Sequence, residues 1–167
     1  VSLSTLKILL DGGANPNAFK AAALCHAAIG ANSKVADMLF EAKVPLTPTS
    51  LGAALPHVLR ITNSMTRLTL TRKFVEAGAL PLEVNRALVH AITAFPTDVS
   101  LQGALATAAD TSDGEALSLS VSMESAETMD MLLAKSQSSV ETRSAMLSRA
   151  MEVKKRTARH RMCRSLL

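Results

Sequence analysis

Three histidines follow the same short apolar pattern and are the first candidates for chemistry. They end the segments ALCH, ALPH and ALVH at His26, His57 and His90. Imidazole nitrogens bind metal ions and transfer protons near neutral pH, so this histidine series could form a site. It could equally be the imprint of a repeated structural unit, and the elements that carry the histidines decide between the two.

Other candidates for catalysis lack the partners that their chemistry needs. Cys25 stands beside His26, but adjacent residues of a helix do not face each other, and no third group orients the pair. The serine-rich stretch 118–148 contains no G-x-S-x-G turn. The chain also has no G-x-x-x-x-G-K phosphate-binding loop. We therefore expect no enzymatic activity, no cofactor and no small-molecule substrate.

Composition favours a helical domain in a reducing compartment. The chain has 167 residues, 48% of them hydrophobic, with four Phe and neither Tyr nor Trp. A core of Ala, Leu, Val and Met suits close-packed helices better than sheets. The two distant cysteines, Cys25 and Cys163, indicate neither a disulfide framework nor a zinc ribbon. We expect an intracellular protein, cytoplasmic or nuclear.

Two further expectations concern the ends and the membrane. No apolar run approaches the roughly 20 residues of a membrane span, so no transmembrane segment is predicted. Because the chain begins with Val rather than Met, we expect it to be a fragment of a longer protein.

Two interleaved sequence elements recur with a period near 30 residues. The first is an amphipathic segment with paired bulky residues, and its equivalent positions are Leu10, Phe40, Val75, Leu105 and Leu133. The second contains the Ala-Leu pattern, with equivalent positions at Leu24, Leu55, Leu88 and Leu117 and a fifth copy at Met146 or Leu147. Both elements have apolar residues at helical spacing, so each repeat predicts two helices.

Helix pairs of this kind predict an α-solenoid. A single pair cannot bury its apolar faces, whereas stacked neighbours share a continuous core. Glycine followed by proline, in GANP and GALP, stops the helix. Short polar residues such as Thr49-Ser50 predict the helix starts. The sequence therefore predicts an all-α helical-repeat solenoid of about five helix pairs in a single domain, 1–167. Its approximate units are 1–18, which is a half repeat, then 19–45, 46–81, 82–110, 111–136 and 137–167.

The repeated segments resemble ankyrin repeats. LKILLDGGANPNA, VADMLFEAKV and RKFVEAGALP are similar to the V-x-x-L-L-x-x-G-A-x-x-N pattern of that family's second helix and exit turn. ALCHAAI lies where the family has T-P-L-H-x-A-A, but the Thr-Pro is missing from every copy. The joining segments are shorter and lack the Asp-x-x-Gly turn. The chain thus resembles a divergent ankyrin array, of the type in large filamentous-fungal proteins, with reduced or absent β-hairpins.

The resemblance changes the interpretation of the histidine series. Each histidine stands one residue after the family's structural histidine, and one residue rotates a helical side chain by about 100°, away from the core and toward the concave surface. Neighbouring imidazoles would lie about 8–10 Å apart, the usual helix spacing, which is too far for shared zinc bonds of about 2.0–2.1 Å. The histidines are then either packing residues inherited from the repeat or part of a partner-binding groove, and we expect no metal site.

The leading functional hypothesis is a non-enzymatic protein–protein interaction module, a scaffold that binds a partner protein on the concave face. The residues expected on or near that face are Lys20, His26, His57, Arg60, Arg86, His90 and Arg149. One alternative is a structural spacer within a longer repeat array.

A basic C-terminal segment provides the other alternative. The stretch 154–167 has no acid and contains the basic tail residues Lys154, Lys155, Arg156, Arg159, Arg161 and Arg164. As a final helix, it would pack Ala158, Met162 and Leu166 inward and leave its charges solvated. It could also bind nucleic acid or anionic lipid electrostatically, although it has no aromatic residue on which a base could stack.

Overall fold

The structure is a computed structural model that describes residues 2–110, 114–135 and 139–167. These described residues form eleven helices and no β-strand, so the all-α prediction is confirmed. The helices are α1 (Leu3–Asp11), α2 (Ala18–Ile29), α3 (Ser33–Phe40), α4 (Pro48–Leu59), α5 (Ser64–Glu76), α6 (Pro81–Ala94), α7 (Val99–Ala106), α8 (Glu115–Ser122), α9 (Ala126–Lys135), α10 (Val140–Met151) and α11 (Arg156–Leu166). No helix in these stretches is long and apolar enough to cross a membrane.

The chain forms two compact units, Val1–Glu83 and Val84–Leu167. The predicted repeat boundaries at 110/111 and 136/137 involve residues outside the described ones. The remaining predicted boundaries, at 18/19, 45/46 and 81/82, fall in or next to the turns between helices.

In the first unit, consecutive helices pack as pairs. α2 contacts α3, α4 contacts α5, and the most extensive contact joins α2 to α4. α1 packs against α3. The core is mainly leucine, and its fully buried members are Leu24, Leu39, Leu51, Leu55, Leu59, Leu70 and Phe74. The rings of Phe40 and Phe74 meet edge to face, with centroids 5.3 Å apart.

Glycine ends two helices of this unit, as the sequence predicts. Gly13 and Gly78 both have φ of +88°, and the following N–H groups of Ala14 and Ala79 donate to carbonyls five residues back. Glycine is favoured in this C-terminal turn because a positive φ is costly for other residues. Ala31 makes the same turn after α2 without that advantage, at φ +49°.

Short polar residues begin the helices, with one correction. The side chains of Asn32 and Asn63 accept hydrogen bonds from the first turns of α3 and α5. The sequence predicts the start of α4 at Thr49-Ser50, but Thr47 caps this helix and Pro48 is its first residue. Proline suits that position because it fixes a helical φ and its missing N–H would have no partner in the helix.

The start of α2 contains a left-handed turn that the sequence does not predict. Phe19, Lys20 and Ala21 have φ of +52°, +57° and +58°. Just before the turn, Asn17 is tied to the segment that precedes α4: its Nδ2 donates to the Pro45 carbonyl (2.9 Å), and the Thr47 N–H donates to its Oδ1 (2.8 Å). Ala21 is buried, whereas the Phe19 side chain is 91% exposed.

The second unit repeats the pairing of helices. α8 contacts α9 and α10 contacts α11, while α9 also packs against both α7 and α11. Its buried residues include Leu88, Ile92, Leu101, Leu105, Met129, Leu132 and Met162. Gln102 is also fully buried, and both ends of its amide are satisfied: Nε2 donates to the Phe95 carbonyl (2.9 Å), and Oε1 accepts from the Thr128 hydroxyl (2.6 Å).

Candidate partner-binding surface

Four of the predicted surface residues belong to the first unit. Lys20 and His26 on α2 and Arg60 at the end of α4 are exposed. His57 on α4 is half-buried. Its Nδ1 atom is fully buried and has no hydrogen-bond partner among the described groups. His57 is therefore less exposed than Lys20, His26 and Arg60. Its helix, α4, packs against both α2 and α5.

The first helices of this unit are basic and contain no acidic residue. α2 has the sequence AFKAAALCHAAI and α4 the sequence PTSLGAALPHVL, with no Asp or Glu in either. Because α2 and α4 pack side by side, Lys20 and His26 lie on the same two-helix layer as Arg60. Neither helix contributes a carboxylate to this layer, and the Glu83 side chain lies against Gly52 of α4.

The other three predicted residues belong to the second unit, and all are exposed. His90 lies near the end of α6, with its ring edge-on to Phe95 and 6.2 Å between centroids. Arg149 of α10 donates a hydrogen bond to the Ser118 hydroxyl of α8. This bond joins the first helices of two consecutive pairs. Arg86, also on α6, has interactions of its own with neighbouring groups.

The cysteine beside the first histidine is not arranged as a nucleophile. Cys25 is half-buried, its Sγ lies 3.9 Å from the Lys20 carbonyl, and His26 projects into solvent. Burial raises the pKa of the Cys25 thiol above its ordinary value, and a backbone hydrogen bond offsets this only in part. A reactive cysteine needs its pKa lowered, because the thiolate is the nucleophile.

Among the described residues, no three His, Cys, Asp or Glu side chains cluster in a way that could hold a metal ion. The histidine series is also divided between the two units: His26 and His57 lie in the first unit, and His90 lies in the second.

The basic tail folds as the amphipathic helix α11. Met162 and Leu166 are buried, as the sequence predicts, whereas Ala158 of the same predicted stripe is only half-buried. All six basic tail residues are exposed. Arg161 is tied down, because its Nε donates to Asp130 Oδ2 of α9 at 2.7 Å. Ser165 donates to the other oxygen of the same carboxylate at 2.6 Å.

A groove that the sequence does not predict lies beside α11. The groove has a volume of about 750 Å³ and is lined by Met151, Arg156, Thr157, Arg159, His160 and Cys163. Met151 is the one lining residue from α10, and its side chain is 64% exposed. The signal in the sequence was this methionine directly after the buried Ala150, followed by a run of basic residues.

Comparison with protein-family models, with curated proteins and with solved structures finds no match to this chain.

Proposed function

We propose that the chain is a non-enzymatic protein-interaction module, built as an ankyrin-like helical-repeat solenoid and binding a partner protein on the face formed by its first helices. The observation that carries this proposal is the basic layer of α2 and α4. Their outward residues Lys20, His26 and Arg60 are exposed without any acid on the same helices.

The solenoid is supported by the way the helices succeed one another. In both units each helix pair contacts the next through equivalent helices, α2 with α4 and α1 with α3 in the first unit, α8 with α10 and α9 with α11 in the second. Side-chain hydrogen bonds between consecutive helix pairs join residues about one repeat apart in sequence, such as Arg149 with Ser118 and Arg161 with Asp130. Nearest-neighbour stacking of this kind is the defining property of repeat proteins.

A binding role fits the chemistry of the exposed first-helix residues better than catalysis does. Selectivity in such arrays comes from polar residues that vary between repeats while the buried pattern stays fixed. Here the buried pattern persists at Leu24, Leu55 and Leu88, while the exposed basic residues differ from repeat to repeat in type and position, as Lys20, Arg60 and Arg86 show. With no Tyr or Trp in the chain, arginine is the one type of common hot-spot residue that it offers.

The test is capture of a partner by the intact chain, followed by loss of capture in a charge-reversed variant. Lys20→Glu with His26→Glu should reduce retention of the captured protein at least tenfold, which corresponds to about 1.4 kcal/mol. The matched control, Lys34→Glu with Arg72→Glu, alters exposed residues of the second helices α3 and α5 and should leave retention unchanged.

The same assay separates the alternatives. Retention that falls steeply with salt and depends on Lys154, Lys155 and Arg156 would replace this proposal by electrostatic binding through the basic tail. Equal retention by both charge-reversed variants, together with concentration-dependent self-association, would support a structural spacer instead.

A further inference from the structure

The second helix of each pair is an odd-numbered one: α1, α3, α5, α7, α9 and α11. Side-chain hydrogen bonds between consecutive second helices all run the same way along the chain. In every pair for which a side-chain bond is described, the later helix donates and the earlier helix accepts. The pairs are Lys73 of α5 to Asp37 of α3, Thr128 of α9 to Gln102 of α7, and Arg161 of α11 to Asp130 of α9. In these three pairs, α3, α7 and α9 offer acceptors to the second helix that follows.

Helix α9 shows the two sides of such a helix. Thr128 bonds back to α7, and Asp130 bonds forward to α11. Two residues along a helix correspond to a rotation of about 200°, so the two bonds leave α9 on nearly opposite sides. We call these the backward and the forward side of a second helix.

The forward side of α11 reverses the usual chemistry. Arg161 and Ser165 mark its backward side, since both bond to Asp130. Cys163 and Arg156 lie about 200° and 220° around the helix from Arg161, and Arg159 lies beside them. These residues line the groove described above, so the forward side of α11 presents cationic donors where other second helices present Asp or Gln.

No carboxylate lines this groove to neutralise the charges. Glu152 follows Met151 directly in sequence, but it lines a different groove together with Glu124, Arg149 and Lys154. The forward groove instead combines Arg156, Arg159 and His160 with the exposed side chain of Met151. Its complement must bring negative charge and an apolar group together.

We propose that this forward groove binds an acidic helical segment of another protein, stacked on α11 as α11 is stacked on α9. Carboxylates of the segment accept hydrogen bonds from Arg156 and Arg159, because the planar guanidinium pairs with a carboxylate through two N–H donors. Arg159 Nη1 also donates to the Val153 carbonyl at 3.5 Å, which leaves its remaining N–H groups for the segment. An apolar residue of the segment packs on Met151, whose flexible thioether adapts to varied shapes.

Two other occupants fit the groove less well. Single-stranded nucleic acid is bound mainly by stacking of bases on aromatic side chains, and the groove offers one imidazole, His160, and no Phe, Tyr or Trp. A second copy of this chain stacked through α1 would offer one carboxylate of that helix, Asp11, which is already paired with Lys7 at 3.4 Å. Nucleic acid thus finds little to stack on in the groove, and α1 of a second copy brings no unpaired carboxylate to it.

Binding of a labelled synthetic peptide to the intact chain tests this proposal. The probe is a helical peptide composed of Glu, Ala and Leu, and fluorescence anisotropy reports its dissociation constant. Arg156→Glu with Arg159→Glu should weaken binding at least tenfold, and Met151→Ser should weaken it with all charges intact. The matched control, Lys34→Glu with Arg72→Glu, makes the same change in net charge on α3 and α5 and should alter binding less than twofold.

Several results would overturn the proposal. One is no measurable binding of the peptide, and another is equal weakening in the control variant. A third is tighter binding of an oligouridylate or of phosphatidylserine vesicles than of the peptide. Circular dichroism checks that each variant keeps its helices, and Arg156→Gln with Arg159→Gln replaces the charge reversal if that variant unfolds. Lys20→Glu with His26→Glu should leave peptide binding intact, so failure here is distinguishable from failure of the first-helix surface.

Discussion

At the scale of single residues, the strongest departure from local preference is the left-handed turn Phe19–Ala21. A left-handed conformation costs a non-glycine residue about 1–2 kcal/mol, and three consecutive residues adopt it. Lys20 is the exposed central residue of this turn. Its substitution therefore tests the backbone conformation without disturbing the core.

Replacing Lys20 by glycine should raise the free energy of unfolding by about 1 kcal/mol relative to Lys20→Ala, because glycine adopts positive φ without the steric cost. In an ordinary right-handed helix the sign would be reversed, since glycine costs about 1 kcal/mol relative to alanine there. Urea denaturation followed by circular dichroism measures the difference, as the chain has no Trp or Tyr to report by fluorescence. A less stable glycine variant would contradict the left-handed turn.

Burial of Cys25 makes a prediction about pH. Desolvation raises the pKa of its thiol, so the folded chain holds this proton at a pH where the unfolded chain has lost it. Its contribution to stability is present below the ordinary thiol pKa and is lost as pH rises through the raised value. In a Cys163→Ser background, the rate of alkylation should reach its midpoint at a higher pH in the folded chain than in guanidinium. Identical midpoints would show that the thiol is not desolvated.

At the scale of helices, the ends of α2 and α5 offer an internal comparison. Ala31 and Gly78 occupy the same position in the same type of turn, with φ of +49° and +88°. Ala31→Gly should therefore stabilise the chain, and Gly78→Ala should destabilise it by about 1 kcal/mol. Nothing lies within 4 Å of a Cβ added at Gly78, so the loss would come from the backbone alone. Thermal unfolding measures both, and shifts of the same sign would contradict the shared geometry.

The sequence predicts the helices better than it predicts the contacts between them. The helix pairs, the glycine stops and the inward stripe of Met162 and Leu166 depend on local spacing, which the sequence contains in full. The turn at Phe19–Ala21 follows directly after Asn17, which forms hydrogen bonds to a segment about 30 residues away. No local sequence pattern predicts such bonds. The burial of His57 likewise depends on which helices enclose α4, and the groove at α11 depends on how α10 ends beside it.

At the scale of the whole molecule, the two compact units should differ in their response to core substitutions. In a repeat array each helix pair is stabilised chiefly by its immediate neighbours, so damage to one pair should weaken nearby pairs most. Leu55 is fully buried in the first unit and Leu101 in the second. Replacing a buried leucine by alanine typically costs about 2–5 kcal/mol, which is enough to expose a local difference.

Hydrogen exchange of the amides then measures how far the damage extends. Leu55→Ala should accelerate exchange more in 1–83 than in 84–167, and Leu101→Ala should do the reverse, because local opening needs only the contacts that surround the cavity. The two variants control for each other, since they remove the same atoms from equally buried sites. Uniform acceleration along the chain in both variants would show that the helices unfold as one cooperative block, which would weaken the case for a nearest-neighbour repeat array.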